Sequence, residues 1–100
     1  MTALVLVEHP VGHGPFSDFD SWKQTFDSDP LDRRGHGVRQ HWIYRSPEAD
    51  YVVIGLEFAS LDEATAFKEA LDAALGSVWA QTGVEGSAAR VLEQSELIEY

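Results

Sequence analysis

An α+β fold, with one four-stranded antiparallel sheet carrying two helices on a single face, is predicted by three features of this chain. Short runs rich in β-branched and aromatic residues stand at 3–8, on both sides of a turn within 38–58, and at 88–94. Two stretches, at 18–28 and from Ser60 to about Leu75, instead place apolar residues at helical spacing. With 100 residues, 44% of them hydrophobic, and no cysteine to staple a second unit, the chain has material for one core and one domain, 1–100.

Each element has a local cause. The run from Ala3 to Glu8 is apolar at both parities and ends in a cluster of Pro10, Gly12, Gly14 and Pro15, as suits a strand buried on both sides. In the next stretch Ser17 or Asp18 can cap a helix whose Phe19, Trp22 and Phe26 share one side before Pro30 ends it. The third element follows Gly35 and Gly37 and is rich in β-formers. "SPEAD" then turns the chain into "YVVIGLEF", which makes 38–58 a β-hairpin. "SLDE" at 60–63 is a capping box. It opens a helix with Ala64, Phe67, Leu71, Ala74, Leu75 and Val78 along one stripe, and Gly76 can end or kink it. The last stretch, 88–94, also fits a helix, and is assigned as a strand because it completes the β-α-β, β-α-β order of the ferredoxin-like layout.

Two helices cover one face of such a sheet, and the other face here is not polar. Leu4, Val5, Leu6 and Val7 are apolar at both parities, and Tyr51, Val53 and Gly55 line the second face of their strand, which would leave an apolar patch larger than soluble monomers usually carry. The expected remedy is a homodimer joined sheet to sheet.

Charge narrows the partners. The net charge is −10, and it is uneven: 1–45 holds five Lys/Arg against six Asp/Glu, and 46–100 holds two against eleven. Such a surface repels phosphate backbones, so no nucleic-acid partner is expected. The apolar run at the start is too short for a signal peptide or a membrane span, which gives no membrane partner and a cytoplasmic location as the expectation.

The segments "FSDFDSWKQTFD" and "RRGHGVRQHWIYRSPEADYVVIGLEFASLDEATAF" resemble the dimeric α/β-barrel superfamily, in the order of elements and in a rhythm of Phe-Asp, Arg-Gly, Tyr-Arg, Glu-Phe and Ala-x-x-Phe. The resemblance implies two ferredoxin-like protomers packing their sheets into one barrel. That superfamily includes antibiotic-biosynthesis monooxygenases and other cofactor-independent quinone-forming enzymes, haem-degrading enzymes, polyketide cyclases and isomerases. Its monooxygenases use an Asn with a Trp, and this chain contains no Asn. Its haem-degrading members use a helix-borne His, and no His follows His41 here. Its plant-type cyclases pair a Tyr with a His near the end of the second helix, where this chain reads "DAALGSVW".

A hairpin centred on Glu48 pairs Arg45 with Tyr51, His41 with Gly55 and Arg39 with Glu57 on the dimer side, the last as an ion pair. The same register turns Gln40, Trp42 and Tyr44 toward the helices. Shifting it by one would set Arg39 and Arg45 among core aliphatics, at a cost of several kcal/mol if those charges were buried. Trp22, Phe26, Trp42 and Trp79 are then candidate walls of a cleft for a flat aromatic ligand, with Phe67 beside them. Gln40 and Tyr44 are candidates to hydrogen-bond its oxygens. His41 and His36 are the candidate bases, and Arg34 joins them for anion recognition. Arg33, Arg34 and His36 lie on a loop that could rim the cleft and attract a phenolate or carboxylate. His9 and His13 are four apart, but the glycines and proline around them prevent the helix a metal pair at that spacing needs, and no metal is expected.

The reading is a small-molecule enzyme or binding protein of the monooxygenase or cyclase type, acting on an aromatic or polyketide-like substrate without metal or organic cofactor. The rival is a non-catalytic homodimeric module that binds a ligand or another protein.

Overall fold

The computed structural model describes residues 2–10, 19–29, 31–48, 51–82 and 88–100, and the side chains among them apart from those of 10, 75–82 and 88. Strand β1 (Ala3–Pro10) is followed by helix α1 (Phe19–Asp27), strands β2 (Gln40–Arg45) and β3 (Tyr51–Phe58), helix α2 (Leu61–Thr82) and strand β4 (Ala88–Glu93). The strands form one antiparallel sheet in the order β2-β3-β1-β4. This is the predicted α+β class and is consistent with the ferredoxin-like arrangement. The ambiguous last stretch is a strand paired along β1, Leu4 opposite Leu92 and Val7 opposite Ala89. No helix among the described residues is long and apolar enough to cross a membrane.

Period-two alternation sets the core. Val5, Val52 and Phe58 are fully removed from solvent, and Val7, Ile54 and Leu56 nearly so, all on the face that receives the helices. From α2, Ala64 and Phe67 meet them, with Phe67 5.5 Å from the Phe58 ring. From α1 comes Trp22, stacked at 5.2 Å on Phe26 and 5.8 Å from Phe19. The spacing of three and four that predicts α1 therefore builds an aromatic stack on one side of a nine-residue helix. Its candidate caps, Ser17 and Asp18, lie outside the described residues.

The capping box at the start of α2 is present in part. The Glu63 amide donates to Ser60 Oγ at 3.2 Å, and that hydroxyl in turn donates to the Glu63 carboxylate, so Glu63 returns to the Ser60 side chain and not to its amide. Helix α2 then continues to Thr82, well past the expected end near Leu75. An internal glycine costs only about 1 kcal/mol relative to alanine, and Gly76 follows the strong helix formers Ala73, Ala74 and Leu75. Trp79, expected in irregular chain, belongs to the helix; its side chain lies outside the described residues.

The hairpin register is shifted by one from the expected pairing. Arg45 faces Val52, Ile43 faces Ile54, His41 faces Leu56, Trp42 faces Gly55 and Gln40 faces Glu57. Ser46 donates its amide to the Tyr51 carbonyl at 3.1 Å, so the connection is one residue tighter than "SPEAD". Both faces of β2 are thereby exchanged. His41, Ile43 and Arg45 lie on the helix side, and Gln40, Trp42 and Tyr44 on the open side. The expected Arg39–Glu57 ion pair is replaced by a backbone bond between those residues and a side-chain bond from Gln40 Nε2 to the Glu57 carboxylate.

The objection to this register was the burial of arginine, and edge position removes it. Strand β2 is an edge strand of the sheet, so Arg39 and Arg45 stay exposed while lying on the helix side. Arg45 lays its guanidinium over the Phe19 ring at 4.8 Å, keeping its charge in water. On the open side Trp42 occupies the space where a Cβ of residue 55 would stand, and only glycine fits beneath that indole.

Candidate functional site

Between the two helices and the sheet lies a cavity of about 340 Å³. Its floor is Val7, His9, Ile54 and Leu56, the inward-facing residues of the two central strands. Helix α1 supplies Trp22, Thr25 and Phe26, and α2 supplies Phe67, Leu71 and Ala74. The loop after α1 closes the remaining side with Asp29, Leu31 and Arg33. The volume falls within the range of small-molecule pockets, and the exposed lining is almost wholly aromatic and aliphatic.

The loop that closes this side is shaped by acidic residues. Asp29 and Asp32 both adopt positive φ, at 55° and 51°, a conformation Asp tolerates better than most residues. Asp29 Oδ1 accepts the Arg33 amide at 2.9 Å and Arg33 Nε at 2.8 Å. These bonds, led by the backbone amide, hold the Asp29 carboxyl below its usual pKa. The Arg33 guanidinium lies 3.8 Å from the Phe26 ring centroid. Its Nη1 is closed off from solvent and has no hydrogen-bond partner among the described residues.

Two of the residues predicted from sequence, Trp22 and Phe26, line this cavity, and Phe67 joins them. His41 stands beside it, its ring edge-on to Phe26 at 5.1 Å. Partial burial, and then the positive charges of Arg33 and Lys23, lower the His41 pKa from 6.5. His36 packs edge-on against Phe67 at 5.7 Å on the outer side, with Nδ1 3.0 Å from the Asp32 carbonyl oxygen. Arg34 is exposed and outside the lining, while its neighbour Arg33 is part of it. Gln40, Trp42 and Tyr44 are placed with one another on the open face, Trp42 and Tyr44 5.2 Å apart, and none borders the cavity.

His9 and Asp29 are lining residues that the sequence reading did not single out as site members, and Arg33, expected on the rim beside Arg34, is in the lining itself. Parity alone could have found His9, because it falls in phase with the buried Val5 and Val7; it is 7% exposed. For Arg33 the signal was an aspartate four residues earlier, the spacing at which a carboxylate can hold an arginine side chain in place. His13 lies outside the described residues.

No protein-family model matches the chain. No curated protein matches it either. The solved structure of Rv0793 from Mycobacterium tuberculosis is similar, with a TM-score of 0.61 over 99% of this chain and 100% of that one, at 18% sequence identity. At that identity the similarity supports a shared small α+β fold with a four-stranded antiparallel sheet, and it carries no residue roles across.

Proposed function

We propose that this chain binds, and in its leading reading transforms, an aromatic or polyketide-like small molecule in the cavity between its helices and sheet, as a cofactor-independent protein of the monooxygenase or cyclase type. The observation that carries this reading is the cavity itself: about 340 Å³, walled by Trp22, Phe26 and Phe67, with an almost wholly apolar exposed lining. A neutral His41 beside Phe26 adds a group suited to accept a proton near neutral pH.

The test is titration with aromatic ligands, using 2-naphthoate as first probe, in the parent chain and in Leu71→Trp, which fills the cavity from α2. Binding in the parent that falls at least tenfold in the variant, with unchanged circular dichroism, is the expected result. Binding that survives the substitution undiminished overturns the assignment of the cavity.

The proposal includes a homodimer formed through the open face. Its support is the exposure of Tyr44 at 68%, Tyr51 at 47% and Leu92 at 40% on that side of the sheet. A monomer by analytical ultracentrifugation at micromolar concentration would overturn it. The same apolar face is also what favours the second reading, a non-catalytic dimeric module.

A further inference from the structure

We infer that the cavity selects a ligand of two or three fused rings whose inner end is bare hydrocarbon, with any polar group confined to the one end left in water; this rests on the cavity being the ligand site. The exposed lining is almost wholly apolar. Polar side chains border it, but they turn hydrogen-bonding atoms to one another, to the backbone or into the protein. Asp29 Oδ1 accepts the Arg33 amide and Nε at 2.9 and 2.8 Å, and the Thr25 hydroxyl donates to the Ser21 carbonyl at 3.4 Å. Arg33 Nη1 and His9 Nε2 are closed off from solvent. Because the chamber is wide enough to admit water-sized bodies, atoms closed off in this way do not face it.

Size and solvation then set the class of ligand. An apolar cavity of about 150 Å³ holds one benzene ring and stays dry. At about 340 Å³ this chamber has room for two or three fused rings against Trp22, Phe26, Ile54 and Leu71. A hydroxyl or carbonyl carried inside gives up its hydrogen bonds to water and gains none, which weakens binding steeply. A hydrocarbon edge meets no such penalty, and its removal from water favours binding. The chamber is only partly enclosed. A polar group at one end of the rings can therefore stay in water, and a second one at the opposite end cannot. Ring systems hydroxylated around their whole edge are disfavoured on this ground, and the aromatic class of the proposed function narrows to rings substituted at one end.

The experiment is calorimetric titration of the full chain with 6-methyl-2-naphthol and with 2,6-dihydroxynaphthalene. The two compounds have the same shape and share one hydroxyl, which either can leave in water. They differ in carrying a methyl or a hydroxyl at the far end. The methyl compound should bind more tightly by about thirtyfold or more, which is the largest difference that a hydrogen-bonding surrounding such as octanol leaves for one hydroxyl. A smaller ratio means that the chamber supplies the inner hydroxyl with a partner; it overturns this inference and leaves the cavity standing as a site. Binding of neither compound overturns the cavity reading and the inference with it. In Leu71→Trp both affinities should fall at least tenfold with unchanged circular dichroism, and affinities that survive the substitution overturn both readings. If that variant does not fold, the indole signals locate the compounds instead: a shift at Trp22 supports the inference, and a shift at Trp42 alone overturns it.

Discussion

On the helix side of the sheet Val5, Val52 and Phe58 are wholly removed from solvent, while one residue along the same strands Leu4 and Val53 stay half-buried and Tyr51 is 47% exposed. Both faces are apolar, and among the described residues only one is covered. The covered side also carries the cavity, whose lining includes His9, Thr25, Asp29 and Arg33. The open face concentrates aromatic surface in Trp42, Tyr44 and Tyr51 and has Gln40 bonded to Glu57 among it. Cavity-lining strand residues and open-face residues are thus divided between the two sides of one sheet, and they are sorted by residue parity.

This contrast predicts unequal responses to substitution. The largest is on the covered face, where Phe58→Ala removes a fully buried ring and should cost about 3–5 kcal/mol in a denaturant melt. Next is Gly55→Ala, whose new methyl meets the Trp42 indole and should cost about 1–3 kcal/mol. Trp42→Leu in the same chain should recover part of that loss, and a double-mutant cycle measures the coupling. Tyr44→Asp comes third. Melted at dilution, it should stay within about 0.5 kcal/mol of the parent, and its effect should show in sedimentation as a shift from dimer to monomer.

The smallest effect is a pH dependence. Because the folded His41 has a pKa below 6.5, the unfolded chain binds its proton more readily. Its contribution to stability is complete above pH 6.5 and is lost as the pH falls through the folded value. His41→Gln should therefore flatten the stability profile just below that point and leave the profile above it unchanged. An unaltered acid slope would show that His41 does not feel the partial burial and the Arg33 charge ascribed to it.

The order of elements and the covered core were legible in the sequence because both rest on local periodicity: the stripe of Ala64, Phe67 and Leu71, the triplet Phe19, Trp22, Phe26, and the phase of Val5 with Val7. The faces of β2 were not. Their assignment depended on whether four or five residues close the hairpin, and the argument used to decide it treated Arg39 and Arg45 as interior charges. Edge position voids that argument, since an outer strand beside a nine-residue helix lets long cations reach water. The same slip moved Gln40, Trp42 and Tyr44 away from the cavity and brought His41 toward it. The choice of Arg34 over Arg33 had a different origin. Adjacent residues on a turn point apart, and only the backbone path set by Asp29 and Asp32 decides which of them faces inward.

Two tryptophans on opposite faces provide the most direct measurement. In a ¹⁵N-labelled sample titrated with 2-naphthoate, the indole signal of Trp22, assigned through Trp22→Phe, should shift in proportion to occupancy. The indole of Trp42, assigned in the same way, should hold its position. A shift confined to Trp42 would place ligand binding on the open face and contradict the division of labour between the two sides of the sheet.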